Sequence, residues 1–144
     1  VVAGAIPTGE ITKVEGTVFD FTDFRQVGKS IDDDLEQLKL VQGYDHNFVL
    51  DSLTGTYAKA AEVKCDRSGR KMEVYTDLPC IQFYAGNCIS PQTGKGGVKY
   101  DKRQALCLET QYAPDAINQP GFEKPIFDAG QKYDTKTEYR FSTY

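Results

Sequence analysis

Apolar and polar residues alternate through Leu106-Cys107-Leu108-Glu109-Thr110-Gln111. With a period of two, Leu106 and Leu108 face one way while Cys107, Glu109 and Gln111 face the other, which predicts a strand with one apolar side. The chain then leaves through Pro114 and Pro120, residues that cannot continue a central strand. Ile81-Gln82-Phe83-Tyr84-Ala85 repeats the alternation, setting Ile81 and Phe83 against Gln82 and Tyr84. Runs 57–65 and 71–76 flank Asp66-Arg67-Ser68-Gly69, the pattern of a hairpin with a short glycine-containing loop. Residues 11–14 and 17–21 read as short strands, 44–50 as a loop entering a strand, and 136–141 as a closing strand. Helical spacing occurs once, at Ile31, Leu35 and Leu38 behind Ser30-Ile31-Asp32-Asp33, which resembles a capping box and predicts at most a short helix. Strands at short intervals with turns between them predict an all-β chain, an antiparallel β-sandwich. No repeat or linker interrupts residues 1–144, which read as a single domain.

Composition narrows the function classes. A chain of 144 residues with 40% hydrophobic and 26% charged residues can bury a core, so disorder is not expected. The net charge of −4, with 17 scattered Lys and Arg, lacks the basic footprint of a nucleic-acid partner. No apolar run approaches the ~20 residues that span a bilayer, so no membrane partner is expected. The start at Val1-Val2-Ala3-Gly4-Ala5 has no initiator Met and no signal-peptide pattern, and reads as the start of a piece of a longer protein. Four cysteines without a C-x-x-C and a single histidine, His46, supply no paired metal-ligand spacing, so no metal is expected. Reduced thiols and a cytoplasmic location are the expectation. Asp32-Asp33-Asp34 lacks the spacing of a calcium loop and reads as a solvated helix start. Thr93-Gly94-Lys95-Gly96-Gly97 lacks the order of a phosphate loop and reads as an exposed flexible loop.

The candidate chemistry is a set of polar groups on strands or strand mouths: Asp45, His46, Gln82, Tyr84 and Glu109. A carboxylate in an apolar cleft loses solvation, its pKa rises from ~4.3, and it becomes a better proton acceptor near neutrality. Aromatic rings stack on a pyranose while carboxylates and amides take its hydroxyls, so such a set suits a sugar. Each residue taken singly also has a structural reading: Glu109 as a solvated residue of an amphipathic strand, His46 as a satisfied histidine at a strand entrance.

Gly43-Tyr44-Asp45-His46-Asn47-Phe48, Gln82-Phe83-Tyr84-Ala85-Gly86-Asn87 and Cys107-Leu108-Glu109-Thr110-Gln111, followed by Pro114-Asp115-Ala116-Ile117-Asn118-Gln119-Pro120, stand in order and spacing. Together with Pro7-Thr8-Gly9-Glu10-Ile11 and Gly16-Thr17-Val18-Phe19-Asp20-Phe21, they resemble the aldose 1-epimerase (galactose mutarotase) family. The resemblance covers nearly the whole chain and only about the C-terminal half of a family member. It implies the C-terminal portion of a galactose mutarotase-like supersandwich that interconverts the α and β anomers of hexoses such as galactose and glucose. Glu109 corresponds to the general base, Asp45 to a ligand of a sugar hydroxyl, and Gln82 to a polar group lining the same pocket; no cofactor is implied.

The family's histidine acid, in an N-H-x-[YF] segment, and its further histidine and arginine belong to the preceding half and have no counterpart here. His46 adjoins Asp45 and, on an extended segment, faces away from it, so it does not stand in for that acid. The chain alone is expected to be catalytically incomplete, partnered by a missing N-terminal half or by self-association. A non-catalytic carbohydrate-binding or structural β-sandwich, or a hexose-6-phosphate epimerase-like relative, remains the alternative.

Overall fold

A computed structural model describes residues 1–144. It contains one α-helix, α1 (Glu36–Val41), two single-turn 3-10 helices (Val27–Lys29 and Lys95–Gly97), and eight strands: β1 (Asp45–Val49), β2 (Ala58–Cys65), β3 (Arg70–Thr76), β4 (Cys80–Tyr84), β5 (Gln92–Thr93), β6 (Lys99–Tyr100), β7 (Cys107–Gln111) and β8 (Thr137–Thr143). The chain is all-β, with strand orders β1-β4-β7, β2-β3-β8 and β5-β6. The pairs β2/β3, β3/β8 and β5/β6 are antiparallel. No helix is long and apolar enough to cross a membrane.

The expected hairpin forms as β2 and β3, from Ala58 opposite Thr76 to Cys65 opposite Arg70, with one irregularity between Lys59 and Ala61. Its loop closes through Gly69, whose φ of 64° suits glycine and whose N–H donates to the Cys65 carbonyl at 2.8 Å. Lys59, Lys64 and Lys71 pair with Glu62 and Glu73 along and across the two strands of this hairpin. Such solvated pairs are worth about 0–1 kcal/mol each.

Residues 11–14 and 17–21 are not strands. Turns claim their backbone: Thr17 N–H donates to Val14 O and Asp20 N–H to Thr17 O, while the Asp20 carboxylate accepts from the N–H groups of Gly16 and Thr22. The expected helix forms late, at Glu36, because its presumed cap is used elsewhere. Ser30 is buried and its hydroxyl accepts from the Arg25 guanidinium at 2.9 Å, so Leu35 occupies the N-cap without a side-chain hydrogen bond. At the other end Gln42 is left-handed (φ 59°) and Gly43 N–H reaches back to Leu38 O at 2.8 Å, a Schellman-type stop. Asp32 grips Arg103 with two bonds of 2.7 Å, and Asp34 pairs with Lys39, so two of the three aspartates have basic partners. Thr93–Gly97 is the exposed turn of the β5/β6 hairpin, held by Gly94 N–H on Val98 O at 2.7 Å.

The chain packs as two compact units, 1–46 with 83–107 and 47–82 with 108–144. The first is built on Tyr44, which is fully buried and stacks on Phe83 with ring centroids 5.5 Å apart. Phe19 and Phe21 meet Tyr44 edge-on, and its hydroxyl donates to Val18 O at 2.9 Å. Ring pairs of this kind contribute about 0.5–1.5 kcal/mol each beyond the area they bury. In the second unit Val74, Thr76, Leu78, Cys80, Ile81 and Ala116 are buried. All four cysteines are free thiols, and burial pushes the Cys80 thiol above its ordinary value.

Candidate active site

The three motif segments divide into residues that the fold consumes and residues that it leaves to chemistry. Asn87 is buried, and its amide donates to Val41 O at 3.1 Å and Tyr44 O at 2.8 Å, tying the end of α1 to the entrance of β1. Gly43 makes room for it. Its φ is 139°, and a Cβ there would lie 2.4 Å from Asn87 Oδ1. Gly86 (φ 70°) does the same for the approach to β7, since a Cβ would lie 2.5 Å from the Ala105 carbonyl oxygen. The sequence reading assigned these three residues no role, although glycines bordering polar-aromatic runs were the visible signal of close backbone approach.

The segment after β7 is structural as well. Asp115, at φ 57°, accepts from the side chains of Asn118 (2.5 Å) and Gln119 (2.9 Å), which hold its carboxyl below the usual range. Lys124 covers the carbonyls of Ala116, Ile117 and Gln119. The Pro114–Pro120 motif is thus a self-contained turn that ends the strand.

His46 faces the interior of the first unit. It is 9% exposed and lies against Phe19, with ring centroids 4.6 Å apart, while its Nδ1 accepts from the Asp45 N–H at 3.1 Å. Burial depresses its pKa to about 4, so the imidazole is neutral near pH 7. Because the folded value lies below the ~6.5 of an unfolded chain, stability is fully present above pH ~6.5 and is lost as pH falls toward 4. Urea titrations are expected to give an unfolding free energy about 2 kcal/mol lower at pH 5 than at pH 7.5 from this group, a slope that His46→Gln removes.

Asp45 opens β1 in the first unit, half-buried, and alternation sets it on the face opposite His46. Gln82 and Glu109 belong to the second unit, on β4 and β7, which are neighbours in their sheet. Gln82 is half-buried between the buried Ile81 and Phe83, on the other face from both. Glu109, the middle residue of β7, is exposed. The acidic residues of the β2-β3-β8 sheet are committed differently: Lys59 and Lys64 hold Glu62 down to about 2, and Arg140, Tyr57 and Lys136 do the same for Glu138. Glu109 takes part in no such ion pair. It stands exposed at mid-strand, outside these ion pairs.

The family model described as aldose 1-epimerase matches residues 1–140. This chain belongs to the aldose 1-epimerase family. It is 44% identical over 140 residues to a galactose mutarotase of Bos taurus and 42% identical to one of Homo sapiens, in each case over 95% of this chain and 39% of that protein. An aldose 1-epimerase of Escherichia coli K12 is 34% identical over 140 residues, 96% of this chain and 40% of that protein. The chain therefore spans about two-fifths of the length of these epimerases. Among solved structures, an aldose epimerase homologue from C. elegans superimposes with a TM-score of 0.82 at 28% identity, over 96% of this chain and 40% of that one. The epimerase fold expected from the three motifs is the fold observed.

Proposed function

We propose that the full protein to which this chain belongs is an aldose 1-epimerase that interconverts the α and β anomers of hexoses such as galactose and glucose. Glu109 is the general base, and Asp45 and Gln82 bind sugar hydroxyls. The observation that carries this reading is the uncommitted carboxylate of Glu109 at the centre of β7, within a family match that extends over residues 1–140.

In the reaction Glu109 accepts the proton of the C1 hydroxyl as an acid delivers a proton to the ring oxygen. The C1–O5 bond breaks, C1 becomes a carbonyl, and the pyranose opens. Rotation about C1–C2 presents the other carbonyl face to the C5 hydroxyl; reclosure returns both protons and yields the opposite anomer. No redox change occurs. His46, buried and neutral with a pKa near 4, is a poor acid for this step. By its family resemblance the chain leaves the acid to the remainder of the protein, and residues 1–144, the C-terminal part of a larger β-sandwich enzyme, are by themselves incomplete for turnover. A cytoplasmic setting, where free hexoses are consumed, accords with this role.

Polarimetry of freshly dissolved α-galactose or α-glucose tests the reading. The full-length protein is expected to speed the drift to the equilibrium rotation in proportion to its concentration. A drift rate equal to that of buffer, with sugar bound, would instead establish a carbohydrate-binding module.

A further inference from the structure

Glu109 is flanked by two tethers that come from one strand. The hydroxyl of Tyr139 donates to the carbonyl of Leu108 at 2.7 Å, and the hydroxyls of Thr110 and Thr137 are hydrogen-bonded at 2.5 Å. Leu108 and Thr110 are the residues immediately before and after Glu109 on β7; Thr137 and Tyr139 stand two apart on β8 and so share one of its faces. The second tether continues inward. Thr137 lies opposite Thr76 in the β3/β8 register, their hydroxyls are 3.4 Å apart, and the fully buried Thr76 hydroxyl accepts the Leu78 N–H at 3.1 Å.

Alternation puts the Thr110 side chain on the face of β7 opposite Glu109, so this tether holds the strand from behind and leaves the carboxylate free. A general base must lie within hydrogen-bond reach of the proton it removes, and a 1 Å displacement can cost about 10²-fold in rate. Two hydroxyl bonds, one on either side of Glu109, fix both its height above the sheet and its place along the strand.

We propose that Thr137 and Tyr139 are positioning residues for Glu109, clamping β7 on both sides of the base. The inference rests on the assignment of Glu109 as the base. It is tested by mutarotation kinetics of the full-length protein carrying Tyr139→Phe, Thr137→Val or both, each change removing a hydroxyl and little else. The double variant is expected to lose about 10- to 100-fold in kcat with KM for the sugar within about twofold, because the groups that bind hydroxyls are untouched. Thr137→Ser, which keeps the oxygen, is expected to retain the wild-type rate. Tyr57→Phe serves as the control: its hydroxyl bonds Glu138 on the same β8 at 2.5 Å without reaching β7, and its rate is expected not to change.

If kcat stays within twofold in both single variants and in the double variant while Glu109→Gln is inactive, the clamp is overturned and the base assignment survives. An equal fall in Tyr57→Phe also overturns it, since β8 would then act only through stability. Wild-type activity in Glu109→Gln removes the base assignment and the clamp together.

Discussion

Glu109→Gln in the full-length protein is expected to lower kcat for mutarotation by about 10²–10⁴-fold, the usual contribution of a positioned general base. The amide has the size and shape of the carboxylate it replaces, so packing on β7 is preserved and only proton acceptance is lost. Glu109 is exposed and supports no ion pair, so the unfolding midpoint is expected to stay within the scatter of ordinary surface substitutions, about ±0.5 kcal/mol. KM should change little, because Asp45 and Gln82, the proposed ligands of the sugar hydroxyls, are unchanged. That pattern, kcat lost and binding kept, marks an interaction made in the transition state. Polarimetric progress curves at several sugar concentrations measure it. A raised KM with unchanged kcat would make Glu109 a binding residue instead.

Gly43→Ala is expected to be strongly destabilising. Its φ of 139° is a conformation that side chains rarely adopt, and the new Cβ would stand 2.4 Å from Asn87 Oδ1 and 3.0 Å from Ile31 Cγ1. Strain of that kind costs about 1–3 kcal/mol. Displacing Asn87 adds the loss of its two buried hydrogen bonds, to Val41 O and Tyr44 O, at about 1–3 kcal/mol for the carbonyl left unsatisfied. Tyr44 O keeps a second donor, the Ala85 N–H at 2.9 Å, so only the Val41 carbonyl is left unsatisfied and the two costs together come to about 2–6 kcal/mol. Urea unfolding measures it. Gly28→Ala is the control, since a Cβ there meets nothing within 4 Å, and it is expected to be near neutral.

What the sequence made legible follows from the range of the interactions involved. The β2/β3 hairpin could be read because its alternation and its Asp66–Gly69 loop are local, and β7 and β4 because a period of two needs no partner. Residues 11–14 and 17–21 misled for the converse reason: Phe19 and Phe21 are apolar in order to meet Tyr44, while the backbone between them is turned by Asp20 and Thr17. Ser30 looked like a cap until Arg25 took its hydroxyl, leaving the helix to start at Glu36. In the candidate site, alternation set Glu109 on the polar side of β7, and the family resemblance supplied the role proposed for it. Its two tethers were out of reach, since Thr137 and Tyr139 lie 27 and 31 residues from their partners and belong to a strand of polar and aromatic residues that are exposed except for the half-buried Glu138.

The most direct test of the central claim, that Glu109 removes the proton from the C1 oxygen, is a crystal structure of the full-length Glu109→Gln variant with galactose bound. The account predicts a side-chain atom of residue 109 about 2.6–3.2 Å from the C1 oxygen, with Asp45 and Gln82 on other hydroxyls of the same ring. A sugar bound with its C1 oxygen turned to solvent, and residue 109 beyond the reach of one bridging water, would contradict it.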